Sequence, residues 1–274
     1  MSQHGHTIGV FDSGVGGLSV LRALLAELPQ ARFVYVADRA YAPYGERTTG
    51  EVTERSQRIV ARLRREYPLD TLVVACNTAT AQSIDALRHT HHDLPFVGVE
   101  PALKPAAALS QTRHIGVMAT RGTLASGRYH KLQERLEHGG DAHRPHFHNQ
   151  ACDGLADAIE RGDQSQTRAL CEQYVAALRR QAPADGPIDT LVLGCTHYPF
   201  EAERLQGLCG PSVRLVETGA PVARRTREVL HDRPPLSSAP LPRLTLLSTS
   251  QPEALSTVAL RWLGIATPAA LWSC

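Results

Sequence analysis

A chain of 274 residues is long enough for two modest α/β domains or one large one. A net charge of +2 with 5% aromatic residues gives no electrostatic footprint for nucleic acid, and 42% hydrophobic with 20% charged residues excludes a disordered chain. No stretch reaches the length of a membrane-spanning helix, and the polar, His-rich start lacks the apolar run of a secretory leader, so a cytoplasmic protein with reduced cysteines is expected.

In chain order, Thr7–Phe11 is an apolar, β-branched run and predicts the first strand. Asp12-Ser13-Gly14-Val15-Gly16-Gly17 is a Gly-rich turn, and Leu18–Leu28 follows with helical periodicity. The turn is no dinucleotide fingerprint, because Ser19 holds the third glycine position. It is no P-loop, because no Gly-Lys-Ser/Thr follows. Two readings fit it equally. Asp12 and Ser13 project into a site while backbone N–H groups receive an anion, or one of them simply caps the helix. Arg32–Val36 predicts a strand, Pro43-Tyr44-Gly45 a turn, and Glu51–Tyr67 an amphipathic helix. The strand Thr71–Ala75 runs into Cys76, with a helix through Arg88 behind it. Phe96–Val99 is a short strand stopped by Pro101, and Pro105–Leu109 begins a helix. Ile115–Met118 predicts a strand and Gly127–Glu137 a helix; a further strand ends at Ala151-Cys152. A short segment, Gly154–Glu160, precedes the long helix Ser165–Gln181 and the strand Thr190–Leu193. Val213–Val216 is a strand, Pro221–Leu230 a helix, Arg233–Pro242 a Pro/Ser-rich linker, Leu244–Leu247 a strand and Glu253–Leu263 a closing helix. Alternation of strand and helix argues for parallel sheets in an α/β fold.

Arginines cluster at 62/64/65, 179/180 and 224/225/227 and read as solvated helix faces. His138, His143, His146 and His148 have the chemistry to bind metal, but their Gly/Pro/Asp-rich context reads as a solvated loop or sheet edge. The cysteines show no Cys-x-x-Cys spacing, so no metal site is expected.

Two stretches are one element written twice. Asp70-Thr71-Leu72-Val73-Val74-Ala75-Cys76-Asn77-Thr78 matches Asp189-Thr190-Leu191-Val192-Leu193-Gly194-Cys195-Thr196-His197. Each is a buried-strand run ending in a small residue, a cysteine and a hydroxyl or amide group. A second pair supports the first: Ile8-Gly9-Val10-Phe11-Asp12-Ser13-Gly14 resembles Ile115-Gly116-Val117-Met118-Ala119-Thr120-Arg121-Gly122. The order turn, cysteine, turn, cysteine is that of a duplicated α/β half. Ligands bind at the carboxyl ends of such strands. The expected architecture is two pseudo-symmetric parallel-sheet α/β domains facing each other across an interdomain cleft, one thiol from each.

One buried cysteine is usually a small apolar residue; two in matching contexts suggest chemistry. Opposed thiols can remove a proton from one face of a carbon and return one to the other, which is racemisation or epimerisation. A pyridoxal enzyme would need a lysine. Only Lys104 and Lys131 exist, and neither lies at a strand end, so no cofactor is expected. A thiol of pKa about 8.5 needs help to act as base. Asp12 and His197 are the natural assistants, and the difference between Asn77-Thr78 and Thr196-His197 leaves the two bases inequivalent.

Taken together, these residues resemble the glutamate racemases, cofactor-independent enzymes that supply D-glutamate for peptidoglycan. The resemblance is carried in order by Ile8–Gly17, Pro43-Tyr44-Gly45, Ala75-Cys76-Asn77-Thr78-Ala79, Gly98-Val99-Glu100-Pro101, Gly194-Cys195-Thr196-His197-Tyr198-Pro199 and Glu217-Thr218-Gly219-Ala220. It implies catalytic bases Cys76 and Cys195, the first acting on D-glutamate and the second on L-glutamate. Asp12 would assist Cys76, and His197 with Glu160 would assist Cys195. Implied substrate contacts are Asp12, Ser13, Pro43, Tyr44, Gly45, Asn77, Thr78, Thr120, Thr196 and His197. The implied partner is L- or D-glutamate, without nucleic acid or membrane, and a homodimer is compatible with it. The implied domains are 1–100 with 212–274, carrying Asp12 and Cys76, and 101–211, carrying Cys195 and His197. Residues 138–150 match nothing in the pattern. Aspartate racemases, which share the two-cysteine plan, usually carry Glu two residues after the second cysteine, so His197 favours glutamate. A non-catalytic amino-acid binding protein is the alternative from another class; there, loss of either thiol would leave affinity intact.

Overall fold

The structure, a computed structural model, describes residues 5–138, 144–182, 186–236 and 241–274. The chain divides into two compact units, Met1–Val99 with Gly219–Cys274, and Glu100–Thr218.

The chain enters the first unit as β1 (Thr7–Asp12), α1 (Leu18–Glu27), β2 (Arg32–Ala37), α2 (Thr49–Glu66), β3 (Thr71–Val74), α3 (Asn77–Thr90) and β4 (Phe96–Gly98). The second unit follows as α4 (Leu103–Leu109), β5 (His114–Ala119), α5 (Arg121–Leu124), α6 (Gly127–His138), β6 (His146–Ala151), α7 (Leu155–Arg161), α8 (Gln164–Gln181), β7 (Thr190–Gly194), α9 (Ala202–Cys209) and β8 (Arg214–Val216). The first unit is then completed by α10 (Gly219–Leu230), β9 (Leu244–Ser248), α11 (Pro252–Leu263) and β10 (Ala269–Leu271).

The first unit holds a six-stranded sheet in the order β10-β9-β2-β1-β3-β4, and every pairing is parallel. Helices cover both faces of such a sheet, so its strands read as continuous apolar runs; β1 and β3 are buried at every position. α2 shows how local chemistry sets a boundary. Thr48 and Glu51 form a reciprocal capping box that starts the helix at Thr49, ahead of the first apolar residue of its buried stripe. That stripe includes Val52, Ile59, Val60 and Leu63, whose burial contributes about 1.5–3 kcal/mol each.

The second unit holds a four-stranded parallel sheet in the order β6-β5-β7-β8. Its order repeats the β2-β1-β3-β4 portion of the first sheet, and the register repeats too. Ile8 pairs with Thr71 and Val10 with Val73; Ile115 pairs with Thr190 and Val117 with Val192. The two copies of the cysteine motif are therefore held by the same strand pairing. β8 pairs with β7, which puts residues 212–218 in the second unit. The boundary falls between Thr218 and Gly219, not at 211/212.

Of the clustered histidines, His138 ends α6, His146 and His148 lie on the edge strand β6, and His143 falls outside the described residues. The His146 ring stacks on His114, its register partner on β5, with centroids 5.4 Å apart. Among the described residues no group of three His, Cys, Asp or Glu is arranged to hold a metal ion. No described helix is long and apolar enough to cross a membrane.

Candidate active site

Each unit carries its motif cysteine just past the carboxyl end of an interior strand, and both thiols are nearly inaccessible: Cys76 is 5% exposed and Cys195 6%. What surrounds them differs.

In the first unit Cys76 is the N-cap of α3. Its Sγ accepts the Ala79 N–H at 3.4 Å and lies 3.5 Å from Ser13 Oγ. Free N–H groups and the positive end of a helix dipole favour a thiolate over a thiol at such a position. The β1 end brings Asp12 and Ser13 beside it. Asp12 is fully buried, and its Oδ1 accepts the Gly14 N–H at 2.7 Å, which folds the Gly-rich turn back on the carboxylate. Asp12 shapes the turn and Ser13 reaches the thiol, and the reading of either as the helix cap is not met. The helix N-cap of α1 is Gly17, and no side chain caps it. Asn77 and Thr78 open α3 and are 3% exposed each. Among the described groups, neither polar atom of the Asn77 carboxamide has a hydrogen-bond partner. Orphaned buried polar groups cost about 1–3 kcal/mol each, so a carboxamide left open beside a thiol is a feature to be explained by a ligand.

Pro43, Tyr44 and Gly45 lie on the loop after β2. The Ala42–Pro43 bond is cis, and a 3-10 turn over Tyr44–Glu46 packs on α3. Tyr44 is 1% exposed and shares an apolar cluster with Phe11 and Cys76. Burial, then the Asp38 carboxylate, then Cys76 push its phenol well above the ordinary tyrosine range, so it stays protonated and donates to Asp38 Oδ2 at 2.6 Å.

In the second unit Cys195 Sγ lies 3.8 Å from His197 Nδ1, and His197 Nε2 lies 2.8 Å from Glu160 Oε2. Glu160 is presented by α7, which is flanked by Gly154 at its N-cap and Gly162 at its C-cap, both in the left-handed conformation. The His197 and Glu160 side chains are 7% and 9% exposed. Burial alone lowers the His197 pKa. The hydrogen bonds with Cys195 and Glu160 outweigh it and hold the imidazole well above its ordinary value. The doubly protonated ring has a donor at each nitrogen, one aimed at sulfur and one at carboxylate. Thr196 is 2% exposed. Thr120, at the end of β5, accepts the Thr123 N–H at 3.2 Å as the N-cap of α5. Register makes Thr120 the counterpart of Ser13 and Ala119 the counterpart of Asp12, so the second unit has no carboxylate at that strand end.

The structure thus gathers Asp12, Ser13, Tyr44, Cys76, Asn77 and Thr78 in one unit, and Glu160, Cys195, Thr196 and His197 in the other. Sequence reasoning passed over Cys152 and Tyr198 beside Cys195. Both are pushed up by burial and by their thiol neighbours, and the Tyr198 hydroxyl donates to the Cys152 carbonyl at 3.5 Å. It also passed over Asp38, which follows β2 as Asp12 ends β1; that parallel was the available signal.

The family description Asp/Glu/Hydantoin racemase matches residues 8–226. The glutamate racemase of Pseudomonas aeruginosa is 42% identical over 260 residues, 94% of each chain. Among solved structures, a glutamate racemase isoform of Bacillus anthracis superposes with a TM-score of 0.84 at 30% identity, covering 99% of this chain and 98% of that one. The Escherichia coli glutamate racemase, solved with L-glutamate and the activator UDP-MurNAc-Ala, superposes with a TM-score of 0.80 at 34% identity, covering 97% of this chain and 98% of that one.

Proposed function

This chain belongs to the Asp/Glu/Hydantoin racemase family, and from that premise we propose that it interconverts L- and D-glutamate, one of Cys76 and Cys195 taking the α-proton from one face and the other giving its own proton to the opposite face. The observation that carries the reading is the repeated register: the same strand pairing delivers one buried thiol per unit to the carboxyl end of an interior strand. A cysteine kept only as a small apolar residue has no reason to recur there.

The steps balance without an external acid. The Cys195 thiolate takes the α-hydrogen of L-glutamate as a proton, leaving a carbanion whose charge spreads into the α-carboxylate. The Cys76 thiol gives its proton to the other face, yielding D-glutamate and a Cys76 thiolate. The reverse reaction starts from that thiolate. His197, held as imidazolium by Glu160, stabilises the Cys195 thiolate. The Ala79 N–H and the start of α3 do so for Cys76, with Asp12 as its proton assistant. Asn77 offers its open carboxamide to the substrate, and Ser13, Pro43, Tyr44, Gly45, Thr78, Thr120 and Thr196 complete the contacts. Lys104 and Lys131 are exposed on α4 and α6, which favours chemistry without a pyridoxal Schiff base. The role of the product in peptidoglycan is part of this proposal and rests on the family.

Purified protein, dialysed against a chelator and treated with hydroxylamine, is expected to form D-glutamate from L-glutamate, read by chiral chromatography. Cys76→Ala and Cys195→Ala should each lose activity in both directions by about 100-fold or more. Activity that returns only with zinc or pyridoxal phosphate, or that survives either substitution, contradicts the proposal.

A further inference from the structure

We propose that the buried Asp38–Arg55 ion pair is a positioning device for the Cys76 half-site, acting on glutamate binding through Tyr44; the inference rests on the racemase reading. Asp38 is fully buried and Arg55 is 4% exposed. A carboxylate has about four acceptor sites, and four donors meet Asp38. Arg55 Nε and Nη2 donate at 2.8 Å each, the Tyr44 hydroxyl at 2.6 Å and Thr249 Oγ1 at 2.9 Å. The Asp38 N–H donates to the Asp12 carbonyl at 2.9 Å. The guanidinium is equally occupied: Nη1 donates to the Cys274 carbonyl at 2.5 Å, and its carbon sits 4.0 Å from the centre of the Tyr41 ring. One carboxylate therefore ties together the end of β2, the Pro43-Tyr44-Gly45 loop, α2 and the end of β9.

A buried ion pair is weak evidence for stability, since apolar residues often serve as well, and fixing one arrangement is its better-attested use. The second unit shows that the fold does not need it. There the N–H of Cys152 donates to Ala119 as that of Asp38 does to Asp12, so Cys152 holds the matching position. It meets the Tyr198 hydroxyl with uncharged groups, its backbone carbonyl at 3.5 Å and its thiol, which burial pushes up. The charge thus belongs to the half-site whose tyrosine sits on the loop after β2 rather than three residues after the cysteine. The Tyr44 ring lies edge-on to Phe11 with centroids 6.3 Å apart, and Asp38 fixes its hydroxyl end.

The test measures kcat, KM and melting temperature for Thr249→Val, Arg55→Lys and Arg55→Met, none of which is a proposed substrate contact. Loss of one of the four donors in Thr249→Val should raise KM about three- to tenfold. Arg55→Met should raise it more than about tenfold, with Arg55→Lys between them and kcat within about threefold of wild type. If Arg55→Met fails to fold because Asp38 is left buried and unpaired, the two milder variants decide. An active wild type whose variants lose melting temperature at unchanged KM overturns this inference alone. A wild type without racemisation overturns the racemase reading and this inference with it.

Discussion

Burial works against charge on His197, yet its hydrogen bonds to Cys195 and Glu160 hold the ring protonated well above its usual value of 6.5. A folded-state pKa raised above the unfolded one contributes stability that is fully present below about pH 6.5. That contribution is lost as pH rises through the folded value. Urea unfolding of the wild type followed upward from about pH 6 should therefore show a loss of stability on the alkaline side. His197→Asn should be less stable at the acid end and lack that part of the slope. A variant profile parallel to the wild type would show that the imidazolium does not exist in the folded protein. Cys76 has no histidine within its turn. Its anion is favoured by a backbone N–H and a helix start, which do not titrate. The two thiols are thus prepared by different means, and the activity profile should be bell-shaped, since in the proposed chemistry each is base in one direction and acid in the other.

Strand ends and the turns after them set the position of every group in the proposed chemistry, and glycines mark the tightest places. A Cβ on Gly17 would stand 2.6 Å from Asp12 Cβ and 3.0 Å from the Tyr35 hydroxyl; one on Gly194 would stand 2.9 Å from the Met118 carbonyl oxygen. Gly17→Ala should displace Asp12, cost about 1–3 kcal/mol of stability and lower kcat/KM about 10- to 100-fold. Gly50→Ala, where nothing lies within 4 Å of the added carbon, is the control and should be neutral or slightly stabilising. Equal effects at the two positions, read by unfolding and steady-state kinetics, would contradict the close-approach argument. The same elements explain what was legible in the sequence. β3 and β7 stood out because their apolar runs are continuous, as fully covered parallel strands must be, and the repeated Ile-Gly-Val of β1 and β5 gave the register partner. α9 was passed over: it grows out of the 3-10 segment Tyr198–Glu201, and its stripe of Ala202, Leu205, Leu208 and Cys209 spans only two turns, with Leu205 alone of its residues fully buried. β10 is Ala269-Ala270-Leu271, residues with little strand preference that pair only with β9. Glu160 had no local signal, because its meaning comes from a histidine 37 positions away. Asp38 was missed because its four donors come from segments spread from Tyr44 to Thr249.

At the scale of the molecule, duplication supplies two thiols and divergence supplies their inequivalence. Ala119 stands where the first unit has Asp12, and Thr78 stands where the second has His197. The substrates are enantiomers with an equilibrium constant of one, so damage to either half must lower kcat/KM equally in both directions, however different the two bases are. Direction-specific kcat/KM therefore cannot establish how many bases act, whereas the fate of the α-hydrogen can. The direct measurement is racemisation of L-glutamate in heavy water, stopped at low conversion, with deuterium at the α-carbon read separately in each enantiomer. Two monoprotic bases predict D-glutamate that carries solvent deuterium from its first appearance, while the remaining L-glutamate keeps its hydrogen. D-glutamate that retains the substrate's own hydrogen, with exchange into L-glutamate outpacing inversion, would contradict the two-cysteine account.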